Sequence, residues 1–311
     1  MITFFLIIFW GAEPVIDLNP FEFYDPYDAS EIYRFHDKWL VCSRTQAALY
    51  LINDQGQVDA SFKNSGKGPG ELERPWVLGV FEDYVLVCSF HGPVLKFGDR
   101  LVLQDSILPK FPNANFWRQA QAFDEHDFLV FNQGGFDFNV YRYTLTDNKW
   151  SLAGQYFEQT LDFSRVVQRR ASSAESSSAF FDGKTAFFQP KGYQEPYYEV
   201  HVIDFSNYRE DQRLAVLAAP LEAFEPYYRG FYAFIDRAAV LPEGYLVEVR
   251  TQERGNKVIL HDYFNTDGRL VKRQRQDGTK LLPVKNGPEI FLWREIDGRP
   301  VLEHFQPHFP R

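Results

Sequence analysis

Seven histidines, two cysteines and 42 acidic residues are the groups in this chain with chemical reach. The histidines are His36, His91, His126, His201, His261, His304 and His308. None forms an HExxH pair or a close two-histidine, one-carboxylate unit, the spacings that hold zinc or iron. His304 and His308 are four apart, but Pro307 interrupts them. His261 and Asp262 are adjacent in a strand-like run, so they point to opposite faces and cannot act as a base and its orienter. The histidines are therefore expected at surface or edge positions. No GxSxG turn presents a serine nucleophile, and Ser172 to Ser178 reads as a flexible loop. There is no EF-hand-like calcium loop, and the carboxylates are too numerous to single out a glycosidase pair. No catalytic residue, metal site or cofactor is assigned.

Composition narrows the class. The chain has 311 residues, 45 % hydrophobic and 17 % aromatic, with 31 Phe and 17 Tyr against one Met. Large planar and β-branched side chains suit half-buried pleated surfaces, so the balance leans toward sheet. Formal net charge is -9, and the densest basic run is Lys272-Arg273-Gln274-Arg275, read as a solvated strand or turn. Such a chain repels phosphate backbones, which excludes a nucleic-acid partner. Cys42 and Cys88 lie in apolar strand-like segments and are expected as buried free thiols, a bridge between them being the alternative. Residues 1–12, apolar and ending in small residues, read as a secretory signal cut near Ala12, which implies a secreted or periplasmic protein. That stretch is too short to span a bilayer, and no later segment reads as membrane-spanning.

The elements that must position any site are repeated. Asp37-Lys38-Trp39-Leu40-Val41-Cys42-Ser43 returns as Asp83-Tyr84-Val85-Leu86-Val87-Cys88-Ser89, and four weaker copies follow. The shared column is Val41, Val87, Val130, Phe187, Val247 and Phe291, at spacings of 46, 43, 57, 60 and 44. Each copy leads into a second strand and often a glycine turn, as in Asn53-Asp54-Gln55-Gly56 and Asn265-Thr266-Asp267-Gly268. Four short strands recurring at this period, buried on both faces, predict an all-β fold, a six-bladed β-propeller. The last copy lacks an outer strand, which Val15-Ile16-Asp17-Leu18 can supply to close the ring. Residues 207–220 and Ser172 to Ser178 are expected as insertions between or at the edge of blades. Residues 13–311 are then one domain.

Between the first two copies lies Gly66-Lys67-Gly68-Pro69-Gly70-Glu71-Leu72-Glu73-Arg74-Pro75-Trp76. It is not a phosphate loop, because a strand-like run rather than a helix follows the glycines. Instead it permits a sharp crossing between sheets. Gly66, Gly68, Gly70, Leu72 and Pro75, with strands at Val85 to Ser89 and Val94 to Phe97, resemble the six-bladed NHL-like propellers, especially their secreted or periplasmic bacterial members. The resemblance covers roughly residues 27–305 through its strand layout. It implies a ring scaffold that binds a protein, glycan or small molecule. A minority of related propellers are enzymes.

Turns after each repeated strand, together with the crossings between blades, should emerge on one face. Arg44, Trp76, His91, Trp117, Arg118, Tyr227, Tyr228, Arg229, Arg250, Trp293 and Arg294 fall there, and aromatic and Arg side chains favour recognition surfaces. Trp76, Trp117, Arg118, Arg229 and Arg294 are the leading binding candidates. The competing account wedges the tryptophans between blades and pairs the arginines with carboxylates. Ligand or protein binding is the expected function, with an enzyme acting on a glycan, peptide or small substrate and a structural role in a surface assembly as alternatives.

Overall fold

A computed structural model describes residues 15–17, 29–89, 93–107, 120–122, 126–134, 137–144, 147, 149–156, 178–182, 185–189, 196–204, 212–226, 232–276, 278–287 and 289–306. After β1 (Val15–Asp17), the first sheet consists of β2 (Ala29–Phe35), β3 (Lys38–Ser43), β4 (Ala48–Ile52) and β5 (Val58–Lys63). The second holds β6 (Trp76–Val80), β7 (Val85–Cys88), β8 (Val94–Phe97) and β9 (Leu103–Ile107). The third holds β10 (Ala120–Ala122), β11 (Asp127–Gly134), β12 (Asp137–Thr144) and β13 (Lys149–Tyr156). The fourth holds β14 (Ser178–Asp182), β15 (Thr185–Gln189), β16 (Tyr197–Asp204) and β17 (Gln212–Pro220). The fifth holds β18 (Phe234–Leu241), β19 (Gly244–Glu253), β20 (Asn256–Asn265) and β21 (Leu270–Arg275). In the sixth, β22 (Lys280–Pro283), β23 (Ile290–Ile296) and β24 (Arg299–Phe305) are joined by β1, whose Ile16 lies opposite Leu302. Every sheet is antiparallel, the first five are meanders, and the described residues contain no α-helix. Repeated four-stranded meanders with adjoining first strands are the β-propeller architecture.

Burial falls from the inner strands outward. All of β4 and β7 is buried, whereas β5 and β9 are largely exposed. A middle strand is covered by sheets on both faces, so it reads as a continuous apolar run. The turns form as their sequences dictate. Gly56 takes φ 76° and Gly268 φ 80°. In each turn the leading asparagine fastens the backbone: Asn53 Oδ1 accepts the Gln57 N–H at 2.8 Å, and Asn265 Oδ1 accepts that of Arg269 at 2.9 Å.

The first strands touch in succession: β2 with β6, β6 with β10, β14 with β18, β18 with β22, and β22 with β2. One edge of each first strand is not paired by its own sheet, and its N–H groups need partners elsewhere. The neighbouring sheet supplies them. Glu31 Oε2 accepts the Val77 N–H at 3.0 Å, Gln189 Oε1 that of Ile235 at 3.2 Å, and Glu248 Oε2 that of Leu281 at 2.5 Å. Between the sixth and first sheets the backbone does this directly, Lys285 N–H donating to Ile32 O at 2.9 Å.

Three expectations need correction. Residues 212–220 are not an insertion but the outer strand of the fourth sheet. Ala215, Leu217 and Ala219 are buried there while Leu214 and Val216 are exposed, because an outermost strand covers a neighbour with one face only. Ser178 likewise opens β14, and Ser172 to Ser177 lie outside the described residues. The repeated column does sit on the second strand of all six sheets, but not in one register. Val41, Val87 and Val247 pack toward the preceding sheet, whereas Phe187 and Phe291 pack toward the following one. A slip of one residue in a strand exchanges its faces.

Candidate functional site

In an antiparallel meander the turn from second to third strand and the exit from the fourth lie at the same end of the sheet. Arg44 follows β3 and Trp76 opens β6, so sheet order brings both to that end. The Arg44 guanidinium carbon lies 4.8 Å from the centre of the Trp76 ring. Trp76 is buried, so it is a backing for Arg44 rather than a free platform. Among the described residues Arg44 makes no ion pair, and its buried Nε has no hydrogen-bond partner.

Around this pair the inner strands carry charge. Glu31 stands on β2, and Arg237 on β18 lies directly across from Glu248 on β19. Burial lowers the pKa of Arg237; Glu248 and Asp236 oppose that, Arg44 adds to it and Glu31 opposes it, with the net shift downward. The same field reaches Tyr33, whose pKa is raised by burial, then by Glu31, while Arg44 works against the rise. Tyr33 therefore stays a donor, giving its hydroxyl proton to Val77 O at 3.1 Å. Cys42 and Cys88 are free and buried, and their thiols are pushed up by burial first and Glu31 second. Both are held as thiols, as expected for packing residues.

Two buried polar rows flank the fifth sheet. Glu248 and His261, both wholly buried, meet at 3.2 Å through Oε2 and Nε2, while Glu248 Oε1 and His261 Nδ1 have no hydrogen-bond partner. On the opposite face Asp262 accepts from Tyr198 at 2.5 Å and from Arg273 at 2.7 and 2.6 Å. His261 and Asp262 do point to opposite faces. The expectation that the histidines are surface groups fails, however, for His261 and for His201, which is buried beside Glu199. Glu248 meets His261 through the β19–β20 pairing, whereas Glu199 stands two residues before His201 on β16.

The glycine loop is filled from within. Glu71 Oε2 accepts the Gly68 N–H at 2.7 Å, and a Cβ on Gly66 would lie 1.9 Å from that same oxygen. The backbone cradle holds the chain's own carboxylate, which turns the crossing from β5 to β6 and leaves no place for a phosphate.

Of the five leading candidates, Trp76 is placed as above. Arg294 pairs with Glu303 across β23 and β24 and is half-buried. Trp117, Arg118 and Arg229 lie outside the described residues, as do His91, Tyr227 and Tyr228. Arg250 pairs with Asp236, its Nε at 2.7 Å from Oδ2. The structure adds Glu31, Arg237 and Glu248, which no local motif marks. Among the described residues no group of three or more His, Cys, Asp or Glu is placed to hold a metal ion, and no helix is long and apolar enough to cross a membrane.

No protein-family model matches the chain, and no curated sequence is similar to it. Solved structures are. A member of the DUF4221 family from Bacteroides vulgatus is 9 % identical, with 95 % of this chain and 96 % of that chain covered at a TM-score of 0.56. A protein described as exported, from Bacteroides fragilis, is 11 % identical, with 86 % and 79 % covered at 0.53. The β-propeller domain of Cps50 (Swd1) from Myceliophteria thermophila is 9 % identical, with 89 % and 83 % covered at 0.48. Identities this low connect the chain to the first two through fold alone.

Proposed function

We propose that this chain is an exported, six-bladed, NHL-like β-propeller that binds a protein, glycan or small-molecule ligand at the end carrying the second-to-third-strand turns. Residues 13–311 form its single domain and residues 1–12 its secretory signal. Six four-stranded sheets, the pairing of β1 with β24 and the return contact of β22 to β2 support a ring closed by the N-terminal strand. The apolar run Met1 to Trp10 supports export, and one similar structure is of a protein described as exported.

The observation that carries the binding reading is Arg44. A guanidinium held against an aromatic ring, with no ion pair and no partner for its buried Nε among the described residues, is a preorganised recognition group rather than a surface charge. Trp117, Arg118, Arg229 and Arg294 are the further residues proposed to contact the ligand. The test is a panel of glycans, peptides and small metabolites measured by calorimetry against wild type, Trp117→Ala, Arg294→Ala and a side-wall control, Asp105→Ala on exposed β9. A ligand that binds wild type and loses about thirtyfold or more in Trp117→Ala or Arg294→Ala, but not in Asp105→Ala, supports the reading. Loss only in the side-wall variant, or no panel member binding, overturns it. Circular dichroism of each variant separates lost binding from lost folding.

A further inference from the structure

We infer that the hairpin tips of the fifth and sixth sheets form a docking surface for a second copy of this chain. In the first, second and fourth sheets the second strand ends level with the first: Ser43 lies opposite Ala29, Cys88 opposite Trp76 and Gln189 opposite Ser178. The fifth and sixth run on. β18 begins at Phe234, opposite Arg250, yet β19 continues to Glu253. β22 begins at Lys280, opposite Trp293, yet β23 continues to Ile296. The extra residues carry each tip about 10 Å beyond the level of its inner neighbour. The third sheet also runs on, but the side chains at its tip lie outside the described residues. Both projecting tips end in the same tight turn, Arg254-Gly255 at φ 49° and 77° and Asp297-Gly298 at 51° and 76°. Both are also held in place. β23 and β24 stay paired out to Ile296 and Arg299. The fifth tip is braced from the side: the Glu225 N–H donates to Gln252 O at 2.7 Å, and Glu225 Oε2 accepts the Gly255 N–H at 3.1 Å.

The two tips carry opposite charge. Arg254 and Lys257 are exposed on the fifth, where Glu253 is paired with Arg275 and Glu225 is turned to the backbone. Glu295 and Asp297 are exposed on the sixth, with Arg299 offsetting one of them. Among the described residues Arg254, Lys257, Glu295, Asp297 and Arg299 make no ion pair, although the two sheets pack side by side through Tyr263, Leu281 and Leu292. The basic and acidic tips therefore do not cancel within one chain. A two-fold axis lying in the contact plane, between the two sheets, sets the fifth tip of each copy on the sixth tip of the other. Each basic tip then meets an acidic one, whereas a partner of a single sign would meet one of the tips with like charge. Ile296, 42 % exposed between Glu295 and Asp297, adds apolar area to the contact. Two pairs of hairpin tips make a small interface, so the association is weak, reversible and sensitive to salt. This contact needs no ligand and stands apart from the binding reading above.

Analytical ultracentrifugation of the chain purified after export reads the outcome. In low salt, wild type is expected to form dimers at concentrations up to about 100 µM. Its association constant should fall about tenfold or more as sodium chloride is raised to about 0.5 M. Arg254→Glu with Lys257→Glu reverses the fifth tip, and Glu295→Lys with Asp297→Lys reverses the sixth. Each of these double variants should be monomeric alone. Mixed in equal amounts they should dimerise, because every tip again meets its opposite. A wild type that stays monomeric over that range, or a dimer indifferent to salt, overturns the proposal. So does a mixture of the reversed variants that fails to associate, or growth beyond the dimer, which a closed two-fold contact forbids. The substituted positions are exposed, and circular dichroism checks that each variant folds. If one does not, the salt dependence of the wild-type dimer decides.

Discussion

Asp262→Ala should be among the most damaging single substitutions in this protein. Asp262 is wholly buried on β20 and joins two sheets. It accepts the Tyr198 hydroxyl from β16 at 2.5 Å and two Arg273 donors from β21 at 2.7 and 2.6 Å; Arg273 also donates to Pro220 O at 2.7 Å. Burial raises the Tyr198 pKa and the Asp262 charge raises it further, so the phenol remains a donor. Removing the carboxylate leaves a buried hydroxyl unsatisfied and a guanidinium without its counterion, the situation in which breaking a buried pair costs about 3–5 kcal/mol. Arg273 keeps 23 % of its side chain exposed, so water recovers part of its loss and about 3 kcal/mol is the expected cost. For a chain of 311 residues that lowers Tm by about 5 °C. Urea unfolding followed by near-UV circular dichroism measures the change, and a double-mutant cycle with Tyr198→Phe isolates the cross-sheet bond. A cost below about 1 kcal/mol, or strict additivity in the cycle, would refute the idea that this cluster ties the fourth sheet to the fifth.

The other expectations are shorter. Gly66→Ala should destabilise by about 1–2 kcal/mol in urea unfolding, because its Cβ displaces the Glu71 carboxylate and frees the Gly68 N–H. An unchanged midpoint would show that the carboxylate moves without cost. Cys42 and Cys88, buried and with raised pKa values, should resist a thiol reagent in the native protein at pH 8 and react only after unfolding. Rapid native labelling of either contradicts this. For Asp127, burial works upward on the pKa, but hydrogen bonds from Arg142 and Thr144 outweigh it and the net shift is downward. A depressed carboxylate contributes stability above its unfolded pKa of about 3.9 and loses it as pH falls through the folded value. Asp127→Asn should thus be less stable than wild type at pH 7 and lose less between pH 5 and pH 2, as thermal melts across that range would show.

Local sequence determines a good deal here. The second strands, the Asn-to-Gly hairpins at 53–56 and 265–268, and the apolar runs around Cys42 and Cys88 follow from turn chemistry and continuous apolar patterning. All three act within a few residues, so the chain states them directly. The need for an outer strand at the end was legible too, since β24 had no partner after it and Val15 to Asp17 pairs there. Register was not. Val41 and Phe291 occupy the same repeat column yet face opposite ways, because one residue of slip reverses a strand and an apolar run buried on both faces does not reveal the slip. The outer strand β17 was missed for a related reason: its short alternation of alanines with larger apolar residues gains meaning only against the strand it covers. His261 carried no local mark of burial, since its partner Glu248 is brought opposite by β19–β20 pairing and then sealed by the sixth sheet through the Leu281 N–H. Arg44 is the sharpest case. Its residue type made it a candidate, but only stacking of the second sheet on the first set Trp76 against it. Contacts between sheets depend on how blades pack rather than on neighbouring residues, and that packing is decided by the tertiary structure alone.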